Sequence, residues 1–250
     1  MDESARPGPF LTSQWLDLVM LSWAVDPDLL EPLVPRGTEL DAFEGRTVAS
    51  VVGLRFEDVR VRGLAIPFHR RFPELNLRFY VRREVGGERR RGVVFVKELV
   101  PLRAVAWLAR LAYGERYFRL PMRATGSLPQ ADAKPRALGT LRYAWRRQGR
   151  WESLQAEVAG AAALPAGESE AAFITEHYWG YARQRDGGTL EYEVEHPRWQ
   201  VWDAHAVHFD ADAGALYGAG WATALSGAPS SAFVADGSAV VVRRGRRIAP

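Results

Sequence analysis

The sequence predicts a mainly β, α+β fold assembled from antiparallel strands. Glycine-marked turns recur along the 250-residue chain, apolar and polar residues alternate between them, and few stretches carry helix signals. Glu44-Gly45 separates an extended Thr38–Phe43 from Arg46–Asp58, where Val48, Val51, Val52, Leu54 and Phe56 suit a strand. Gly86-Gly87 joins Glu74–Glu84 to Gly92–Leu99, and Gln148-Gly149 joins Leu138–Arg147 to Arg150–Val158. Asp186-Gly187-Gly188 joins Tyr178–Arg185 to Thr189–His196, and Asp236-Gly237 joins Ala232–Ala235 to Ser238–Arg243. Each pairing is a hairpin expectation, because glycine supplies the positive φ that tight two-residue turns require.

Helix signals are fewer. Asp26-Pro27 places an N-cap before a first-turn proline and predicts a helix over Pro27–Leu33, stopped by Pro35. Pro101 opens the strongest helix, Leu102–Tyr113, with Leu102, Val105, Ala106, Leu108, Ala109 and Ala112 on one face and Gly114 ending it. Ser169–Glu176 is a shorter third helix. Residues 10–245 read as a single domain of two lobes meeting near 127–136, where Pro129 and Pro135 interrupt the pattern; 1–9 and 246–250 read as flexible tails.

At 47% hydrophobic and 25% charged residues, the chain can bury a sizeable core, which excludes disorder for most of its length. The absence of cysteine removes disulfides, thiolate nucleophiles, thiolate zinc sites and iron–sulfur clusters together. No apolar run approaches the roughly 18 residues of a membrane helix. Asp2 and Glu3 stand where a secretory signal would carry basic residues, so the cytoplasm is the expected location.

Thirty-three basic residues oppose thirty acidic ones, and all but Lys97 and Lys134 of the basic ones are arginine. Arg82–Arg83, Arg89–Arg91, Arg146–Arg147 and Arg243–Arg247 mostly flank expected turns, as solvated strand ends do; no nucleic-acid partner is expected.

The most informative stretch is Phe72-Pro73-Glu74-Leu75-Asn76-Leu77-Arg78-Phe79-Tyr80. Strand alternation puts Glu74, Asn76, Arg78 and Tyr80 on one face and Leu75, Leu77 and Phe79 on the other. The polar face either meets water or lines a cavity. In the second case Arg78 would hold an anionic group and Glu74 would move protons. Lys97, at the polar end of an apolar strand, either snorkels to water or, desolvated, becomes an amine nucleophile; Glu98 beside it points to the opposite face. Asp203, His205 and His208 do not share one strand face, so no metal site is expected. His177 and His196 adjoin aromatic clusters that read as core or cavity wall. No nucleophile elbow, P-loop or dinucleotide fingerprint is present, and no cofactor is expected.

Tyr113-Gly114-Glu115-Arg116-Tyr117-Phe118 resembles the Tyr-Gly-Tyr-Pro-Lys-Lys stretch in which acetoacetate decarboxylases carry a Schiff-base lysine and its cationic neighbour, with Tyr117 and Phe118 where the two lysines would stand. Nearly the whole chain, from about Leu11 to Val242, resembles the YqjF-like family of the acetoacetate-decarboxylase-like superfamily. The residues that carry this are Leu21-Ser22-Trp23 with Pro27, Leu33-Val34-Pro35, Gly37-Thr38 with Asp41, Phe72 to Val81, Lys97 to Pro101 and Tyr113-Gly114-Glu115 with Tyr117. The second lobe adds Glu176 to Tyr181 and Val194 to Trp199. The resemblance implies a cone-like antiparallel β-barrel with an internal cavity and a small-molecule ligand, while the missing lysine pair argues against imine chemistry. The expected candidates are Glu74, Arg78, Glu115 and Tyr117 for catalysis, and Asn76, Tyr80, Lys97 and Glu98 for ligand binding. Two functions follow as expectations: a cofactor-independent lyase or other acid–base enzyme acting on an organic acid or carbonyl compound, or a non-catalytic binding or sensing protein. Self-association is compatible with either.

Overall fold

The computed structural model describes residues 7–130, 134 and 137–248. Its strands in the first half are β1 (Pro9–Ala24), β2 (Glu39–Leu40), β3 (Ala42–Phe43), β4 (Arg46–Val61), β5 (Leu64–Ala65), β6 (Phe72–Val85), β7 (Glu88–Val100) and β8 (Tyr117–Arg119). The second half adds β9 (Met122–Ser127), β10 (Leu138–Arg147), β11 (Arg150–Ala159), β12 (Trp179–Arg183), β13 (Thr189–Glu195), β14 (Val201–Asp210), β15 (Ser231–Arg243) and β16 (Arg246–Ile248). The helices are α1 (Pro27–Leu30), α2 (Arg103–Tyr113), α3 (Glu170–Thr175), α4 (Ala213–Tyr217) and α5 (Ala219–Ala224). The fold is therefore mainly β, with strands paired largely antiparallel.

Four of the five expected hairpins form. Glu44-Gly45 and Gln148-Gly149 turn with positive φ at both residues, as do Gly86 and Gly87. The fifth does not form. Asp236-Gly237 lies inside the continuous β15, whose partners on β1 run from Ser22 to Pro9. Gly237 has φ +88°, and a Cβ there would lie 1.9 Å from the Trp15 carbonyl oxygen. The glycine serves a close approach of two backbones, a role that local sequence does not distinguish from a turn.

β1 is the element the sequence hides. Leu18 to Trp23 are all buried, so both faces of the strand are covered and the polar–apolar alternation disappears. The expected helix over Pro27–Leu33 divides into α1 and a 3-10 turn at Glu31–Leu33, with the Asp26 side chain accepting from the Asp28 N–H at 3.0 Å. Gly114, at φ +73°, follows the last residue of α2 as expected. Ser169 caps α3 through Oγ to the Ala172 N–H. The 246–250 tail is corrected in part: Arg246–Ile248 pairs with Thr189–Glu191 as β16. Much of the expected lobe junction, and residues 1–6 and 249–250, lie outside the described residues.

Sheet order runs β16-β13-β12-β7-β6-β4-β1-β15-β14-β11-β10-β9, and β13 also pairs with β15. That second pairing, Val194 with Val242 and Glu195 with Val241, closes a circuit β13-β12-β7-β6-β4-β1-β15. β6 sits within it, buried on both faces. Leu75, Leu77 and Phe79 pack into one hydrophobic cluster with Leu21 and Trp145, while Phe72 and Tyr80 pack into a second with Val52 and Phe56.

Candidate functional site

A cavity of about 160 Å³ lies on the second side of β6. Glu74, Asn76 and Arg78 face it from β6, Glu98 from β7, Glu115 from the loop after α2, and Tyr117 from β8. Strand alternation explains the β6 set, since every second side chain points the same way. β8 runs parallel to β7 and brings Tyr117 beside Glu98. Antiparallel pairing of β6 with β7 brings Asn76 beside Glu98.

Two expected residues lie elsewhere. Tyr80 is buried outside the cavity lining, with its hydroxyl 2.7 Å from Ser50 Oγ and its ring against His177 and Phe173. Lys97 faces away from the cavity. Its ammonium donates to the Leu216 carbonyl and sits 4.8 Å from the centre of the Phe118 ring, and desolvation followed by the charges of Arg147 and Arg116 lowers its pKa. Phe118, in the second of the two positions compared with the lysine pair, is partly exposed.

The carboxyls form a buried cluster, with Glu74, Glu98 and Glu115 only 3%, 2% and 7% exposed. Tyr117 Oη donates to Glu74 Oε2 at 2.9 Å and also engages Glu98. Asn76 Nδ2 donates to Glu74 Oε1 at 3.1 Å, and Tyr192 Oη donates to Glu115 Oε1 at 2.8 Å. Burial pushes the Glu74 carboxyl up to about 7 against the opposing pull of these donors and of Arg78. Burial likewise lifts Glu115 to about 8, helped by the charge of Glu74. Glu98 rises well above the ordinary carboxylate range through burial and then through its two acidic neighbours. Near neutral pH the cluster therefore holds protons that isolated carboxylates would have lost.

Arg78 is 8% exposed and has no ion pair among the described residues. Its Nη2 lies 3.7 Å from Met20 Sδ, its guanidinium carbon is 5.9 Å from the centre of the Tyr80 ring, and its Nε has no partner. Two of the three histidines on the lining, His177 and His196, add little charge. Burial lowers His177 to about 4 despite Asp41 Oδ2 at 3.5 Å, and burial lowers His196 as well. A guanidinium removed from water without an acidic partner is costly, and a bound anion would compensate it. Glu98 Oε2 and Asn76 Oδ1 are also buried without partners.

Tyr192 escaped the sequence reading. It enters the cavity from β13 together with Val194, and His196 follows two residues later, an i, i+2, i+4 pattern like that of β6. Gly180 makes room for it, since a Cβ there would lie 2.1 Å from Tyr192 Cζ. Among the described residues, no group of three His, Asp or Glu is placed to hold a metal ion, and no helix is long and apolar enough to cross a membrane.

Comparison with solved structures agrees with this architecture. The acetoacetate decarboxylase of Legionella pneumophila superposes with a TM-score of 0.64 at 13% identity, covering 97% of this chain and 88% of that one. The enduracididine biosynthesis enzyme MppR, complexed with pyruvate, gives 0.66 at 15% identity over 97% and 91%. An acetoacetate decarboxylase-like enzyme from Sphingomonas wittichii gives 0.64 at 13% identity over 96% and 94%. At such identities the likeness establishes the fold alone. Among curated proteins, the uncharacterized protein YqjF of Bacillus subtilis is 43% identical over 68 residues, 27% of this chain; the match spans 28% of that relative's length. The profile of the DUF2071 family, described as an uncharacterized conserved protein, matches residues 12–239. With that match spanning most of the sequence, the chain belongs to the DUF2071 family, in the acetoacetate-decarboxylase-like fold.

Proposed function

We propose that this protein binds a small organic acid bearing a carbonyl group and catalyses proton transfer next to that carbonyl, without a cofactor. The observation that carries the reading is that Arg78 Nε, Glu98 Oε2 and Asn76 Oδ1, on the paired strands β6 and β7, are among the buried lining atoms without hydrogen-bond partners, as are Trp15 Nε1 and the His177 ring nitrogens. Each is a hydrogen-bonding group removed from water, an arrangement that costs stability unless something else uses it. Arg78 would hold the anionic group. Protonated Glu98 would donate to the carbonyl oxygen. Glu74, raised less than Glu115, would be the base, and Glu115 the acid that returns the proton. In that step the carbon–hydrogen bond breaks, its electron pair moves toward the carbonyl oxygen, and the proton rests on Glu74. A lyase step extends the same chemistry to another bond beside the carbonyl. Tyr117 keeps a positioning role, because its hydroxyl is engaged by Glu74 and Glu98.

Two further points support a small-molecule reading. Neither Lys97 nor Lys134 lines the cavity, which favours acid–base over imine chemistry. The fold neighbour MppR holds pyruvate. In this reading the closed strand circuit is the wall of a cone-like barrel within a single domain spanning residues 10–245. The test is deuterium exchange into pyruvate in D2O, followed by NMR. Exchange above buffer that is lost in Glu74→Gln and Arg78→Met supports the proposal. Saturable binding with no exchange leaves a binding or sensing protein, and absence of both ends the reading.

A further inference from the structure

Strand register sorts the cavity wall into rows. Phe72 pairs with Phe56, which pairs with Trp15; two residues further along β6 comes Glu74, then Asn76 beside Glu98, then Arg78 beside Phe95. The first row is aromatic throughout. Phe56 and Phe72 stack at 4.9 Å between centres with 12° between planes, and Trp15 meets Phe56 edge-on at 5.7 Å. All three line the cavity. Val105 and Leu108 of α2 also line it, so the apolar lining is contributed by helix as well as sheet.

We infer that the ligand carries a branched or aromatic apolar substituent packed against the Trp15–Phe56–Phe72 row, with its anionic group at Arg78 and its carbonyl between them at the carboxyl cluster. This inference rests on the proposed function and adds the class of side group. The volume points the same way. A cavity of about 160 Å³ matches the roughly 150 Å³ that accommodates a benzene ring, so a three-carbon acid held at Arg78 leaves the aromatic row without contacts. An apolar wall unfilled by its ligand contributes nothing to affinity, whereas each methylene taken from water to such a wall is worth about fourfold.

The probes are pyruvate and 4-methyl-2-oxopentanoate, which share the 2-oxo acid group and differ by three carbons. Both are titrated calorimetrically into the full chain and into Phe72→Leu and Arg78→Met. The branched acid is expected to bind roughly fiftyfold more tightly than pyruvate, from three methylene increments. Phe72→Leu should shrink that ratio severalfold, and Arg78→Met should weaken both acids alike. Equal affinity for the two acids, both dependent on Arg78, overturns the inference while leaving the proposed function standing. Failure of both acids to bind saturably at millimolar concentration overturns the two together. The ligand comparison uses the unaltered chain, so it decides the matter even if Phe72→Leu fails to fold.

Discussion

Replacing Glu115 by glutamine should flatten the dependence of stability on alkaline pH. The native carboxyl is lifted from 4.5 to about 8, so between those values the folded protein holds a proton that the unfolded chain has released. Stability is then fully present below about 4.5 and is lost as pH rises through about 8. The buried histidines act in the opposite sense. His177 is lowered from 6.5 to about 4, and across that interval stability rises with pH. Above 6.5 the histidines are neutral in both states, which leaves pH 6.5 to 8 as the window in which the carboxyls dominate. One proton over 1.5 pH units corresponds to about 2 kcal/mol, or about 4–8 °C in melting temperature for a chain of this size. Glutamine keeps an oxygen to accept from Tyr192 and cannot ionise. Thermal melts of both proteins at pH 6.5 and 8 test this: the parent should lose about 4–8 °C more than Glu115→Gln. Parallel losses, or a parent that gains stability toward pH 8, would refute a protonated Glu115.

Three further outcomes follow from the same geometry. Tyr117→Phe removes the hydroxyl shared by Glu74 and Glu98 and should cost about 1–3 kcal/mol in urea unfolding; an unchanged midpoint would show that the bridge carries no energy. Gly180→Ala sets a methyl group 2.1 Å from Tyr192 Cζ, so it should lower stability by about 1–3 kcal/mol and disturb the pH profile attributed to Glu115, whereas an unaltered profile would detach Tyr192 from that role. Borohydride treatment with a 2-oxo acid should leave Lys97 unmodified by mass spectrometry, because its ammonium faces away from the cavity; an adduct at Lys97 would reverse the argument for acid–base chemistry.

The sequence exposed the parts of the site that obey a simple period. Glu74, Asn76 and Arg78 alternate with Leu75, Leu77 and Phe79, and the strand holds that order for its whole length. β7 does not. Leu77 pairs with Lys97 but Arg78 pairs with Phe95, so one residue is skipped and the alternation of β7 reverses there. Glu98, Phe95 and Val93 consequently face the cavity while Val96 and Val94 pack into the other core, a pattern no fixed period on β7 reproduces. β1 was concealed for a different reason, since a strand covered on both sides carries no alternation to read. Tyr80 was misplaced because its parity is right but its depth is not; it passes beyond the cavity into contact with Phe173 and Ser50.

The separation of Arg78 from the carboxyls also bears on the chemistry. Arg78 pairs across the sheet with Phe95, and its guanidinium lies over the ring of Tyr80, while Glu98 stands beside Asn76. Had a carboxylate come within contact of the guanidinium, attraction would have drawn its pKa below the ordinary range, leaving an internal ion pair with no proton to give and no charge free for a ligand. Separation preserves both. Burial, with the charges of neighbouring carboxyls acting on Glu98 and Glu115, holds the carboxyl pKa values up, and Arg78 retains an Nε without a protein acceptor. An anion entering at Arg78 would bring negative charge toward carboxyls already inclined to keep their protons, and would raise their pKa values further. Ligand binding should therefore take up protons from buffer between pH 7 and 8, where Glu74 and Glu115 are partly ionised, and take up fewer at pH 6. Calorimetry of 4-methyl-2-oxopentanoate in buffers of different ionisation enthalpy measures that uptake directly. Binding without it would mean that the anion sits apart from the cluster, and the shared-cavity mechanism would fall with it.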